Sequence, residues 1–514
     1  MFAVMSPELI LIVIGLYFFM LLAISWFTSR NANQHAYYLG NKKSIWWLVA
    51  LGMISDSLSG VTFISVPGNV FSDKFSYMQV VFGFVIGNFI TAYVLLPLYY
   101  RLNLTSIYSY LGQRFGDTSQ KTGSFYFLLS RTLGAAARLY LSAGVLQTYL
   151  FQPFNIPFPV SVVIIISLIL IYTYRGGIKS LVWTDALQSL LLLTALALTL
   201  VNLFTYINWD TAWQIVEQNH YNRLFVWDWL PKNNFFKMII GGTLVAVTMT
   251  GMDQNMMQKN LSCKNIKEAR KNILSYNSTL IFINFFFLSL GVLLYVFATQ
   301  KGIELPLNSA GKVNTDGVFP LMAFNHLGSW AGLIFIVGLT AATFSSADSV
   351  LTTLTTSFCI DFLKFNPEDV ESRKNKNIRH LTHVLFAVAI LISMLLIEQL
   401  NNGAIIDTIL KVAGYTYGPL LGMFAFGIFT KIKINEKGVI AVCLLAPVFT
   451  YYVDLLLPLL TSTQSVNHFV NVFMPWKKTG FQLGFLNLAV NGMLTFGGLW
   501  MLSKGRTKDT IGSL

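Results

Sequence analysis

Apolar runs of about twenty residues recur along the whole 514-residue chain, and no other feature constrains its fold as much. A bilayer core about 30 Å thick is crossed by a helix of about 20 apolar residues. Thirteen runs predict spans over 8–28, 45–68, 77–100, 123–150, 157–174, 181–205, 236–258, 273–299, 329–356, 378–400, 404–430, 437–459 and 482–503. No long polar segment separates them, so residues 1–514 are expected to form a single all-α, polytopic membrane domain. The first run follows the acidic Glu8 and lacks a small-residue cleavage site, so it reads as a retained helix and not a signal peptide. Charged residues make up 11% of the chain, where a soluble domain carries about 25%. That excludes an ordinary soluble enzyme, a disordered chain and a secreted disulfide scaffold.

The net charge of +13 would suit nucleic acid only if it gathered on a soluble face. It does not. With the N-terminus placed outside, the inside connections hold 24 of the 35 Lys and Arg residues, Lys259 among them, and the outside connections hold 8. Arg131, Arg138 and Lys411 fall within helices. This bias predicts a multi-pass plasma (inner) membrane protein with an outside N-terminus and a cytoplasmic C-terminus. Cys263, Cys359 and Cys443 are odd in number and have no metal-like spacing.

Ionisable groups in hydrocarbon are expensive, so those present are functional candidates. Asp56, Asp185, Asp253 and Asp348 qualify, as do Arg131 and Arg138, seven residues apart on one face of the fourth span. The alternative for each is interhelical pairing. Two spans also carry helix-weakening polar stretches: Ser55-Asp56-Ser57-Leu58-Ser59-Gly60 in the second and Thr248-Met249-Thr250-Gly251-Met252-Asp253-Gln254 in the seventh. Interrupted helices in corresponding halves point to an inverted-repeat transporter with its site at the midplane. The first repeat would cover 45–205 and the second 236–430, with an extra N-terminal helix at 8–28 and two further helices over 437–503. In the ninth span Ser345 and Ser349 share one face. Hard cations take oxygen ligands, so the Ser345 and Ser346 hydroxyls opposite unwound carbonyls near Ser55 and Leu58 would suit Na+, although serines also serve close helix packing.

Five stretches resemble the sodium/solute symporter family, in family order: Trp183-Thr184-Asp185, Gly251 to Lys259, Asp316 to Pro320, Ala342 to Ser349, and Gly414 to Gly422. The resemblance implies a LeuT-type fold of five plus five inverted helices. It implies a sodium site on the carbonyls of Ser55, Leu58 and Ala342 and the hydroxyls of Ser345 and Ser346. Ser55 stands where members often have alanine, a change that carbonyl ligation tolerates. A further sodium site credited to some members maps to Asp185, Ser345, Asp348 and Ser349, with Asp348 in place of a hydroxyl. Proline-type members with the same pattern are not credited with it, so a second sodium is an alternative and not a requirement. Solute contacts by resemblance are Ser57, Ser59, Thr62, Tyr77, Gln79, Asp253 and Gln254.

The function expected is sodium-coupled import of a small organic solute by alternating access, with sodium, solute and lipid as the partners and no nucleic acid. Arg131 or Arg138 could clamp a carboxylate bidentately, as in a sialic acid, and a hydroxyl-rich pocket would equally suit a sugar. Transport of an amino acid, a monocarboxylate or an inorganic anion stays open, as does a non-coupled channel or sensor on the same fold. An enzyme is disfavoured, because there is no nucleophile elbow, Walker A motif or dinucleotide loop. His380 and His383 lie at a helix start and read as solvated. Gly83 and Gly87 form a GxxxG pair for which packing within the chain is the simpler reading, and oligomeric state is not legible.

Overall fold

The computed structural model describes residues 6–506 apart from 31–33, 175–176, 309–310, 367–368, 370–371, 401–404 and 463–480. Among the described residues, eight helices are long and apolar enough to cross a bilayer, or up to eleven if each bent pair is one span. The exact count of thirteen is not confirmed, and the difference lies in two places. Residues 123–150 and 157–174, read as two spans, belong to one pair of helices bent by 113°. The run at 482–503 forms only a 16-residue helix, Leu486–Met501, short of the usual span.

Both expected interruptions are real breaks. Trp46–Ser57 and Gly60–Asp73 are bent by 56°, and Phe235–Gly251 and Gln254–Leu261 by 58°. In the helix Trp46–Ser57, just before the first break, a side chain from another helix joins the hydrogen bonding. The Ser189 hydroxyl accepts from the Ser55 amide at 3.1 Å and donates to the Leu51 carbonyl, the two groups an uninterrupted helix would join directly. Leu58 then leaves the helical region at φ −94°, ψ 76°. Gly60 restarts the chain where a Cβ would collide with Ser142 Oγ and lie 2.7 Å from Thr343 Oγ1.

The chain divides into two compact units that alternate along the sequence. One comprises Met1–Phe75, Arg131–Asn222 and Asn255–Ile409. Within it the helix Gly177–Tyr206 packs against both Ser329–Ser357 and Trp46–Ser57. Small residues permit this approach: a Cβ on Gly52 would lie 3.2 Å from that of Asp185, and one on Gly338 2.5 Å from that of Ala195. Phe63, Phe287, Phe319 and Phe335 form an aromatic core, with ring centroids 4.7 to 5.8 Å apart. The N-terminal helix Pro7–Ser29 seals the unit with Tyr17 and Phe18 against Phe344, while Leu11, Ile12, Leu16 and Phe19 stay exposed, as a lipid-facing stripe requires.

The other unit comprises Ser76–Ser130, Arg223–Gln254 and Leu410–Leu514. Tyr77–Ile90 lies against Phe235–Ala246, and Gly83 and Gly87 are the reason the backbones can meet. A Cβ on Gly83 would sit 2.5 Å from the Ile239 carbonyl, and one on Gly87 would collide with that of Thr243. The GxxxG pair is therefore absorbed by packing within the chain. Ile432–Ile434 and Ser503–Arg506 pair as a short antiparallel ribbon that the all-helical expectation did not contain.

Candidate functional site

A helix end leaves its last carbonyls without intrahelical donors, and the first break does so in the interior of a unit. Among the described residues, no backbone amide outside the helices' own ladders reaches the carbonyls of Ser55 or Leu58. Ser55, Leu58, Ala342, Ser345 and Ser346 are all buried. The serine-rich helix Ser329–Ser357 brings Ser345 Oγ within 2.6 Å of Ser55 Oγ and 3.1 Å of Asp185 Oδ1. Ser346 is turned onto its own helix, donating to the Thr343 carbonyl at 3.1 Å. Unpaired carbonyls, hydroxyls and a nearby carboxylate are the donor set a hard monovalent cation requires.

Asp185 is the hub of this region. Its backbone carbonyl lies 3.1 Å from Ser55 Oγ, and its Oδ2 accepts from Ser349 at 3.2 Å and from Lys259 Nζ at 2.6 Å. Lys259 also reaches Asp56 Oδ2 at 2.6 Å, and no part of its side chain is exposed. Asp56 Oδ2 accepts as well from Asn255, whose own carbonyl oxygen is oriented by Thr353. Asp348, one helical turn beyond Ser345, accepts from Tyr172 at 2.8 Å and leaves its second oxygen buried without a hydrogen-bond partner. The four residues Asp185, Ser345, Asp348 and Ser349 thus share one interior, and Asp185 touches both serines directly.

Two sequence readings change here. Lys259, counted among the inside connections, is a buried ionic residue of the helix Gln254–Leu261; a lone lysine after a polar stretch reads as a loop until its two carboxylate partners are seen. His383, read as solvated, is buried, with its ring nitrogens 2.9 Å from Thr173 Oγ1 and Thr355 Oγ1.

The expected solute contacts divide between the units. Ser57, Ser59 and Thr62 line the first break, with Ser57 sharing a hydrogen bond with Tyr276. Arg131 is buried and Arg138 half-buried on the helix Asp117–Leu146. In the other unit Tyr77 is half-buried, and Gln79 is held at both ends of its amide by the backbone of Ser76, Asn233 and Val226. Gln254 is likewise held by Ile107 and Thr105, and Asp253 accepts from Tyr417. These two glutamines brace loops in this conformation. Tyr172, Ser189, Asn255 and Lys259 escaped sequence reasoning because their significance lies in partners far along the chain.

The chain matches the family described as the sodium:solute symporter family over residues 37–445. It is 26% identical over 424 residues to the sodium/sialic acid symporter NanT of Aliivibrio fischeri (strain ATCC 700601 / ES114), covering 79% of this chain and 80% of that one. It is 24% identical over 425 residues to the sodium/sialic acid symporter SiaT of Proteus mirabilis (strain HI4320), covering 80% and 82%. The sodium-coupled monocarboxylate transporter 2 of Danio rerio is 26% identical over 424 residues, covering 80% and 66%. A solved substrate-bound, outward-open structure of a Na+-coupled sialic acid symporter superposes with a TM-score of 0.77 at 21% identity, covering 96% of this chain and 99% of that one, which establishes the LeuT-type fold. A family match over most of the length, together with a broken helix set against a serine-rich one, shows that the chain belongs to the sodium:solute symporter family.

Proposed function

We propose that this symporter imports an organic carboxylate, a sialic acid foremost, by alternating access across the plasma membrane, with its N-terminus outside and its C-terminus cytoplasmic. Sodium binds the carbonyls of Ser55, Leu58 and Ala342 and the hydroxyls of Ser345 and Ser346. The observation that carries this reading is the 2.6 Å approach of Ser345 to Ser55 across the first break. A cation there ties the broken helix to the serine-rich helix and favours one conformation by its differential affinity for it. Solute hydroxyls meet Ser57, Ser59 and Thr62 beside the same break, and Arg131 or Arg138 takes the carboxylate. The resemblance to two sialic acid symporters supports that solute class.

One sodium per solute is assigned. A second, on Asp185, Ser345, Asp348 and Ser349, would share the Asp185 carboxylate with the Lys259 ammonium, which lies 2.6 Å from its Oδ2. One sodium moving with one carboxylate carries no net charge, so the sodium concentration gradient drives accumulation and the membrane potential, worth about 2.3 kcal/mol per charge per 100 mV, adds only for a neutral solute.

The test is thermal stabilisation of the purified protein, with and without sodium, across sialic acids, neutral sugars, amino acids and monocarboxylates. Stabilisation by a sialic acid only when sodium is present is expected. Stabilisation by a neutral sugar instead, or by any solute regardless of sodium, would overturn the assignment.

A further inference from the structure

Lys259 belongs to no sodium-ligand or solute set, yet its side chain is fully buried. The helix that carries it is held by polar contacts: Gln258 donates to the Tyr38 carbonyl at 2.6 Å and Asn255 to Asp56 at 3.0 Å. Between these contacts the Lys259 ammonium lies 2.6 Å from both Asp56 Oδ2 and Asp185 Oδ2. Asp185 in turn lies 3.1 Å from Ser345, a proposed sodium ligand. Two carboxylates sharing one ammonium leave a surplus negative charge beside the sodium site, and Asp348 lies on the same helix as Ser345. Without Lys259 that negative field would be larger by a full charge, in a medium where screening is weak.

We propose that Lys259 is a positioning residue that sets sodium affinity: a tethered internal cation that reduces the pull of Asp56 and Asp185, so that sodium binds reversibly and can be released after each transport cycle. The proposal rests on the sodium-site reading above. It makes Lys259 a determinant of turnover and distinguishes it from a packing strut, because a strut would alter stability without altering the sodium dependence.

The experiment measures half-saturating sodium, by sodium-dependent thermal stabilisation and by uptake, in the full-length wild type and in Lys259→Arg, Lys259→Gln and the double variant Lys259→Gln/Asp56→Asn. Lys259→Gln is expected to lower half-saturating sodium at least about fivefold while slowing uptake at saturating sodium and solute. Lys259→Arg keeps the charge and should remain within about twofold of wild type in both. The double variant restores the wild-type net charge without the bridge, so its sodium affinity should return toward wild type; it also serves if Lys259→Gln alone fails to fold. Half-saturating sodium that is unchanged or raised in Lys259→Gln overturns the proposal, as does a double variant that stays shifted. If the wild type itself shows no sodium response, the site reading fails and the proposal with it; if the wild type responds and the variants do not differ from it, only the Lys259 assignment fails.

Discussion

The hydroxyl of Ser345 lies 2.6 Å from that of Ser55, although 290 residues separate them along the chain. This contact joins the serine-rich helix to the broken helix at the carbonyls the break exposes, so the proposed sodium site depends on both. Replacing Ser345 and Ser346 together by alanine removes two of the proposed oxygen ligands and leaves the carbonyls. A hydrogen bond or ligand to a charged group contributes about 1.5–3 kcal/mol, so half-saturating sodium in uptake assays should rise by at least about tenfold. Uptake with unaltered sodium dependence in the double alanine variant would remove sodium from this position.

Gly60 makes the second half of the broken helix possible. A Cβ there collides with Ser142 Oγ and comes within 2.7 Å of Thr343 Oγ1. Overpacking of this kind costs about 1–3 kcal/mol, so Gly60→Ala should lower the melting temperature and depress uptake even at saturating sodium. Adding Ser142→Ala removes the nearest obstructing atom and should recover part of the loss. A Gly60→Ala protein with wild-type melting and uptake would show that the helix can move aside without penalty.

The polar interruptions in the second and seventh spans were legible because Ser, Asp and Gly in an apolar run conflict with a continuous helix, and both became bends of nearly equal size. The serine-rich helix was legible as a face. What could not be read was pairing. Ser189 sits in an apolar span with nothing to mark it, yet its hydroxyl bonds the backbone of a helix 134 residues earlier. Lys259 looked like a loop charge because a lysine in hydrocarbon is affordable only with partners, and Asp56 and Asp185 are respectively 203 and 74 residues away. The span count is left unconfirmed where helices are short or sharply bent, since hydropathy registers apolar length and not direction.

The orientation proposed from the Lys and Arg distribution is open to a labelling test, because Cys263, Cys359 and Cys443 are all buried. Introduced cysteines should therefore dominate the signal from a membrane-impermeant maleimide. Lys312 and Lys267 are both exposed and were assigned to opposite sides. Lys312→Cys should label in intact cells, and Lys267→Cys only after permeabilisation. The reverse pattern would invert the topology.

Solute class turns on the two arginines of the helix Asp117–Leu146. A guanidinium that pairs with a carboxylate through two hydrogen bonds discriminates by charge as well as geometry. Substituting Arg131 and Arg138 singly by glutamine keeps much of the side-chain volume and removes that pairing. For whichever residue holds the carboxylate, KM for a sialic acid should rise about tenfold or more, the equivalent of at least about 1.4 kcal/mol. Half-saturating sodium should stay near wild type, because the ion is assigned to Ser345 and Ser346 and not to this helix. A loss of folding would instead lower the amount of protein in the membrane and reduce the maximal rate for every solute, so KM measured against surface abundance separates the two. If sialic acid uptake keeps its wild-type KM in both variants, the carboxylate is held elsewhere and a neutral, hydroxyl-rich solute becomes the better match to Ser57, Ser59 and Thr62.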